Sequence, residues 1–265
     1  MLRRLRFVSL DVSGTVADGG CKAPVALFQQ AFSAARVPIT VAEARKHMGL
    51  AKRDHVRSMF AQPALQQRWL GTHGKLPSEQ DEEVIYSSLA AFQTPVLRKY
   101  STPIRGARET FEWCRNQRLL ITGTTGYTHS MMAAIAPQLA QAGLRFDALS
   151  VSDGVVCGRP SPLMIEANMA KLGLFERRAG VKVGDTAADM DEGRNAGLWT
   201  VGVIDTSNTV GCSEQEFAEL DSDTCDLLRD EARQQLKHAD LLIPTIADLP
   251  EALLAIDRLL ASKPR

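Results

Sequence analysis

Two short apolar runs, at residues 6–10 and 119–122, are separated by about a hundred residues written almost wholly in helical periodicity. That spacing limits the possible folds more than any other feature of the chain. Each run is bounded by turn residues, as strands buried on both faces are, and two more follow at residues 181–183 and 199–203. Helical stretches at residues 106–117 and 129–142 lie before and among the later runs. Strand alternating with helix implies right-handed crossovers, and hence an α/β chain with a doubly wound parallel sheet. A crossover takes only about a dozen residues, so the first gap holds more than a connection. Within it, residues 23–35, 41–47, 53–60 and 78–91 read as helices. The expectation is an all-helical cap domain at residues 19–98, inserted into a catalytic core made of residues 1–18 and 99–265. The remainder adds helices near residues 223–237 and 249–260 and an edge strand near 241–243.

Composition narrows what such a fold can act on. Lys plus Arg is 31 and Asp plus Glu is 31, for a net charge of zero. A nucleic-acid partner calls for a basic excess, and none is present. No apolar run is long enough to cross a membrane. The basic start, Met1 to Arg6, leads into an apolar stretch that stops at Asp11, too short for a secretory signal. The 5 cysteines are scattered with no Cys-x-x-Cys pair, which suits free thiols in a reducing cytoplasm. These features point to a cytoplasmic protein acting on a small molecule.

Sites in doubly wound sheets gather at the carboxyl ends of the strands, and three strand tips carry polar residues. The first reads Asp11-Val12-Ser13-Gly14-Thr15. A carboxylate there can serve as nucleophile and as metal ligand, while the amides after it meet phosphate oxygens. Taken alone it is equally a turn with an Asp cap. The second tip, Gly123-Thr124-Thr125-Gly126-Tyr127-Thr128, offers the Thr125 hydroxyl and the Gly126 amide at the start of a helix, a natural anion site. The third, Val183-Gly184-Asp185-Thr186-Ala187-Ala188-Asp189, places Asp185 to hold a hard divalent cation beside Asp11, with Asp189 bracing it or capping the next helix. Oxygen-only donors favour Mg²⁺ over zinc. Between them Arg159 can neutralise phosphate charge and keep the Asp11 carboxylate ionised, or can be a plain surface residue in a proline-rich turn.

In the cap, Met48, Lys52 and His55 stand at offsets of zero, four and seven, one face of a helix if the stretch is helical through Gly49. The plain reading is a solvated lysine beside a core methionine. The chemical reading is sharper. If a carbon–phosphorus bond is broken, the leaving group is a carbanion. A lysine condensed with the adjacent aldehyde as an iminium gives those electrons somewhere to go. Such a lysine must attack as the free amine, so its pKa must fall from about 10.4. Arg53 and Arg57, close in sequence, are candidates to lower it, and His55 to carry protons.

The order and spacing of these segments resemble the haloacid dehalogenase superfamily, and within it the phosphonatase branch. The resemblance runs from about Phe7 to Gly202 and is densest at Asp11 to Thr15 with Asp18 and Cys21 to Pro24, at Glu43 to Leu50 with Lys52 and Asp54 to Arg57, at Thr124 to Thr128, and at Val183 to Thr186 with Gly193 to Gly197. It implies a haloacid dehalogenase-like core and an aspartyl-phosphate on Asp11. It also implies Mg²⁺ held by Asp11, Asp185 and the Ser13 carbonyl, and an iminium on Lys52 with Met48 and His55 beside it. Thr125, Gly126 and Arg159 would contact the substrate, a small phosphonate (phosphonoacetaldehyde), and Cys21 and Tyr127 match pocket-lining positions. No organic cofactor is implied, and a homodimer through the caps is. Two residues depart from the pattern Asp-Trp-Ala-Gly-Thr. Val12 removes a bulky ring, and Ser13 occupies the place where phosphatases of the superfamily carry a second, acidic Asp. The competing readings are a Mg²⁺-dependent phosphatase of a small phosphate ester, with Lys52 only touching substrate, and a non-catalytic phosphate-binding or dimerisation module.

Overall fold

The computed structural model describes residues 1–262. Six strands, β1 (Phe7–Leu10), β2 (Leu120–Thr125), β3 (Ala148–Val151), β4 (Gly180–Gly184), β5 (Trp199–Val203) and β6 (Leu241–Ile243), pair in parallel in the order β3-β2-β1-β4-β5-β6. All four residues of β1 are buried because both faces of the sheet are covered. Phe7 points to one face, into a cluster with Ile165, Met169 and Ala196. Val8 points to the other, into the main core with Phe111, Leu253 and Ile256. Gly180, opposite Phe7, has no room for a side chain, since a Cβ there would lie 2.2 Å from the Phe7 ring. Leu10 pairs with Gly123 on one side and Val183 on the other. The chain therefore leaves β1, β2 and β4 at one level, and Asp11, Thr125 and Asp185 come to a shared rim.

Six helices lie between β1 and β2, and the first five are α1 (Lys22–Ala34), α2 (Val41–Arg45), α3 (Lys52–Phe60), α4 (Pro63–His73) and α5 (Glu79–Tyr100). Capping boxes start α2 (Thr40 with Glu43) and α5 (Ser78 with Asp81), and Pro63 starts α4. Their core is aromatic. Phe32 lies 5.3 Å from Phe60, which meets Trp69 edge-on at 4.8 Å. Each such buried ring stabilises the insert by about 1.5–3 kcal/mol. The other helices are α6 (Ala107–Asn116), α7 (His129–Gln141), α8 (Leu163–Leu172), α9 (Ala187–Asn195), α10 (Glu214–Ala218), α11 (Ser222–Gln235) and α12 (Leu249–Ser262). None of the helices described is long and apolar enough to cross a membrane.

The structure departs from the sequence expectation in several places, and three concern the elements themselves or the face they share. Helix α4 was not expected, because it buries only Leu65 and Trp69 and its apolar periodicity is faint. Strand β3 was not expected either, being an edge strand of four residues with two of them half-buried. Met48 does not share a helix with Lys52. The chain leaves α2 at Arg45 and starts α3 at Lys52, and between them Gly49 takes φ +93°, where a Cβ would also strike Thr186 Oγ1 at 2.4 Å.

Candidate active site

Asp11 follows β1 directly and is buried. Arg159 Nη2 donates to its Oδ1 at 2.8 Å, and to the carbonyl and hydroxyl oxygens of Thr124 at 2.6 and 3.0 Å. The same guanidinium reaches Asp189 Oδ1 through Nη1 and Glu192 Oε2 through Nε, each at 2.9 Å. Lys182, in the middle of β4, points at the same carboxylates, 2.9 Å from Asp189 Oδ1 and 3.0 Å from Glu192 Oε2, and donates to Thr124 Oγ1 at 2.7 Å. Asp189 also closes the capping box of α9 with Thr186.

Lys182 and Glu192 are the parts of this network that sequence reasoning missed. The available signal was a charge inside an apolar strand, Val181-Lys182-Val183, which only a buried partner tolerates.

The network is short of positive charge. Arg159 and Lys182 supply two cations against the four carboxyl groups of Asp11, Asp185, Asp189 and Glu192, so the buried carboxyls outnumber the cations that pair with them by two. Burial raises the pKa of Asp11, Asp189 adds to the rise, and Arg159 and Lys182 oppose it. Asp185 is pushed well above the carboxylate range by burial, then by Asp11 and Asp189. Carboxylate oxygens of Asp11, Asp185 and Asp189 lie within 4.8 Å of one another. A divalent cation would balance the deficit, and all the donors are hard oxygens of the kind Mg²⁺ takes. Asp189 is already held by Arg159, Lys182 and Thr186, which leaves Asp11 and Asp185 as the carboxylates free to ligate.

Lys52, the first residue of α3, is only 3% exposed. Its Nζ lies 5.1 Å from the centre of the Tyr127 ring and 5.9 Å from that of Phe28. Burial lowers its pKa to about 8. Asp11 pulls the other way, and Arg159 adds to the lowering. Arg53 and Arg57 are not the cause. Arg53 lies over Tyr86 and pairs with Glu83, and Arg57 pairs with Asp54 and Glu82, all on the exposed side of α3.

Lys52 opens on a chamber shared with Asp11, Arg159, Thr125, Gly126 and Asp185, and walled by Met48, Cys21 and Tyr127. His55 does not line it. That ring is fully buried 4.3 Å from Phe28, with Nε2 bonded to the Ala44 carbonyl at 2.9 Å. Burial first, then Lys52, hold it well below the usual imidazole range, so it is neutral.

Ser13 donates its hydroxyl to Asp18 Oδ2 at 2.6 Å. Asp18 accepts the first amides of α1 from Lys22 and Ala23, and burial pushes its pKa up to about 7. Cys21 Sγ lies 3.3 Å from Asp185 Oδ2, and burial raises the thiol, as it does the Tyr127 phenol. The turn before α3 presses on the rim. A Cβ at Gly126 would lie 2.6 Å from the Leu50 carbonyl oxygen, and one at Gly158 would lie 2.9 Å from Ala51 Cβ. The chamber has only about 20 Å³ open to the centre of a water-sized body, so the turn before α3 leaves it nearly closed.

Comparison with known proteins agrees with this geometry. The haloacid dehalogenase-like hydrolase family model matches residues 5–197. The chain is 37% identical to the phosphonoacetaldehyde hydrolase of Nitratidesulfovibrio vulgaris over 97% of this chain and 92% of that protein. It is 41% identical to the phosphonoacetaldehyde hydrolase of Bacillus cereus over 83% of each. Among solved structures, a phosphonoacetaldehyde hydrolase-like protein from Oleispira antarctica superposes with a TM-score of 0.96 at 32% identity, covering 100% of this chain and 96% of that one. A β-phosphoglucomutase from Clostridium difficile shares the fold alone, with a TM-score of 0.70 at 12% identity.

Proposed function

This chain belongs to the haloacid dehalogenase-like hydrolases and, within them, to the phosphonoacetaldehyde hydrolases, and from that membership we propose the following account of its chemistry. The enzyme hydrolyses the carbon–phosphorus bond of phosphonoacetaldehyde to acetaldehyde and phosphate. The observation that carries the mechanism is a buried amine, Lys52, with its pKa brought to about 8 and opening on the chamber that holds Asp11.

Neutral Lys52 attacks the aldehyde carbon, and loss of water leaves an iminium. Asp11 then attacks phosphorus. The carbon–phosphorus pair flows into the iminium as an enamine, and an aspartyl-phosphate forms. A proton added to the enamine carbon restores the iminium. Water releases acetaldehyde from Lys52, and a second water releases phosphate from Asp11. Arg159, fixed between Asp11, Asp189 and Glu192, orients the nucleophile and faces the transferring group. The Thr125 hydroxyl and the Gly126 amide hold the remaining phosphonate oxygens. Asp11, Asp185 and the Ser13 carbonyl would hold Mg²⁺, which when bound offsets the anionic charge at the site.

Met48, Cys21 and Tyr127 wall off water around the imine carbon. His55 keeps the α3 face packed on Phe28, outside the chamber. An ester phosphatase needs an acid at position 13, but the Ser13 hydroxyl is weakly acidic and is committed to Asp18.

The proposal takes residues 19–98 as a mobile cap over a core of 1–18 and 99–265. It also takes a homodimer through the caps, supported by the exposed Val41, Leu70, Leu76 and Val84 on the insert, and a cytoplasmic setting, supported by five free thiols. Borohydride added with substrate should reduce the iminium and leave a covalent adduct on Lys52, located by peptide mass mapping. An adduct on another lysine, or none while acetaldehyde is still released, would overturn the role of Lys52.

A further inference from the structure

Arg45, the last residue of α2 in the cap, spends its guanidinium on the core. Its Nη1 donates to the Gly20 carbonyl and to both oxygens of Asn208, the carbonyl at 3.0 Å and Oδ1 at 3.1 Å, and its Nη2 donates to the Gly211 carbonyl at 3.0 Å. The contact runs both ways, because Asn208 Nδ2 donates to the Arg45 carbonyl at 3.2 Å. Gly211 sits so close that a Cβ there would come within 3.1 Å of the guanidinium carbon. On its far side Asn208 donates its backbone N–H to Asp185 Oδ2 at 2.8 Å. Gly20, the other anchor, lies where the chain enters the cap and is itself tied to the core by its N–H on the Thr206 carbonyl.

We propose that Arg45 is a positioning residue, a latch that closes the cap on the loop at 208–211 and, through Asn208, sets the Asp185 carboxylate for the divalent cation. A planar fork that fills the Asn208 and Gly211 acceptors of the core cannot hold them when the cap lifts, so those bonds exist only in the closed state. Closure and cation binding then favour each other, and by linkage each strengthens the other equally. The latch goes beyond the reaction proposed above but rests on that reading for Asp185 as a cation ligand. Lysine cannot reproduce the fork, although it keeps the charge.

The test uses the full-length enzyme with no substrate: Mg²⁺ affinity by titration calorimetry, and amide exchange at the hinge and at residues 208–211, for wild type, Arg45→Met and Arg45→Lys. Arg45→Met should weaken Mg²⁺ binding by roughly 5-fold and speed exchange in both segments, with Arg45→Lys between it and wild type. Mg²⁺ should slow hinge exchange in wild type and not in Arg45→Met. A guanidinium acting only through its charge predicts the opposite sign, since removing a cation near clustered carboxylates tightens Mg²⁺ binding. Unchanged or tighter binding in Arg45→Met, with wild type binding normally, overturns the latch. If wild type binds no Mg²⁺, the cation-site reading fails instead, and unchanged exchange in Arg45→Met then overturns the latch by itself.

Discussion

Asp11 and Lys52 are buried to nearly the same degree on opposite walls of one chamber, yet burial does different work on each. On the core wall Asp11, Asp189 and Glu192 each have a cationic partner within 3.0 Å, Arg159 and Lys182 being shared between carboxylates. On the cap wall Lys52 has no ion pair among the described residues and lies among rings. A paired buried charge stays ionised, whereas an unpaired one gives up its proton. The core wall thereby holds its nucleophile among cations, and the cap wall holds an amine that loses its proton near pH 8, inside one small volume.

If the two walls run separate steps, variants should separate them. Asp11→Asn and Lys52→Met should each lower kcat/KM by at least about 10⁴-fold, as loss of a covalent nucleophile does. They should differ in what remains. Asp11→Asn should still give the borohydride adduct on Lys52, and Lys52→Met should bind Mg²⁺ as wild type does. Loss of the adduct in Asp11→Asn would show that iminium formation needs the core nucleophile, and the walls would not be independent.

Stability should split the walls in opposite directions. Lys182→Met leaves Asp189 and Glu192 with Arg159 as their one shared cation, and removal of one partner from such a buried cluster typically destabilises by about 3–5 kcal/mol. Lys52→Met removes an amine whose folded pKa, about 8, lies below its ordinary 10.5. The sign follows from proton counts. Below pH 8 the amine is charged in both states and folding carries the full desolvation penalty. Between 8 and 10.5 only the unfolded chain holds the proton, so wild type gains stability as pH rises. Lys52→Met should therefore be more stable than wild type at pH 7, by up to about 3 kcal/mol, with the gain fading toward pH 10.5. Urea denaturation at pH 7 and pH 10 checks both variants. A destabilised Lys52→Met at pH 7 would mean the amine has a partner in the folded state.

The same division governs how much could be read in advance. Asp11 and Asp185 stand where apolar strands run into polar turns, a pattern visible in one dimension, and Arg159 lies in the proline-rich loop between the motifs. Lys182 and Glu192 were hidden because their meaning depends on facing each other across a strand and a helix. Met48 reaches the chamber, but through the Gly49 turn rather than along a helix with Lys52. Helix α4 and strand β3 were lost to weak or half-buried patterns. The cap–core contact made by Arg45 joins residues 163 and 166 positions apart, beyond the reach of any local periodicity.

Arg53 is the clearest case of sequence neighbourhood misleading, and it yields the smallest expected effect. It follows Lys52 directly, but one residue turns about 100° around a helix. Its side chain is 51% exposed and paired with Glu83. A solvated, paired guanidinium is screened from a buried amine. The rise of kcat/KM with pH should run through about 8 as Lys52 loses its proton, and Arg53→Ala should leave that limb in place to within about 0.2 pH units. If Arg53 helped to expel the proton, its removal would raise the Lys52 pKa and carry the limb upward. A clear upward move would shift the cause of the depressed pKa from burial back to neighbouring charge.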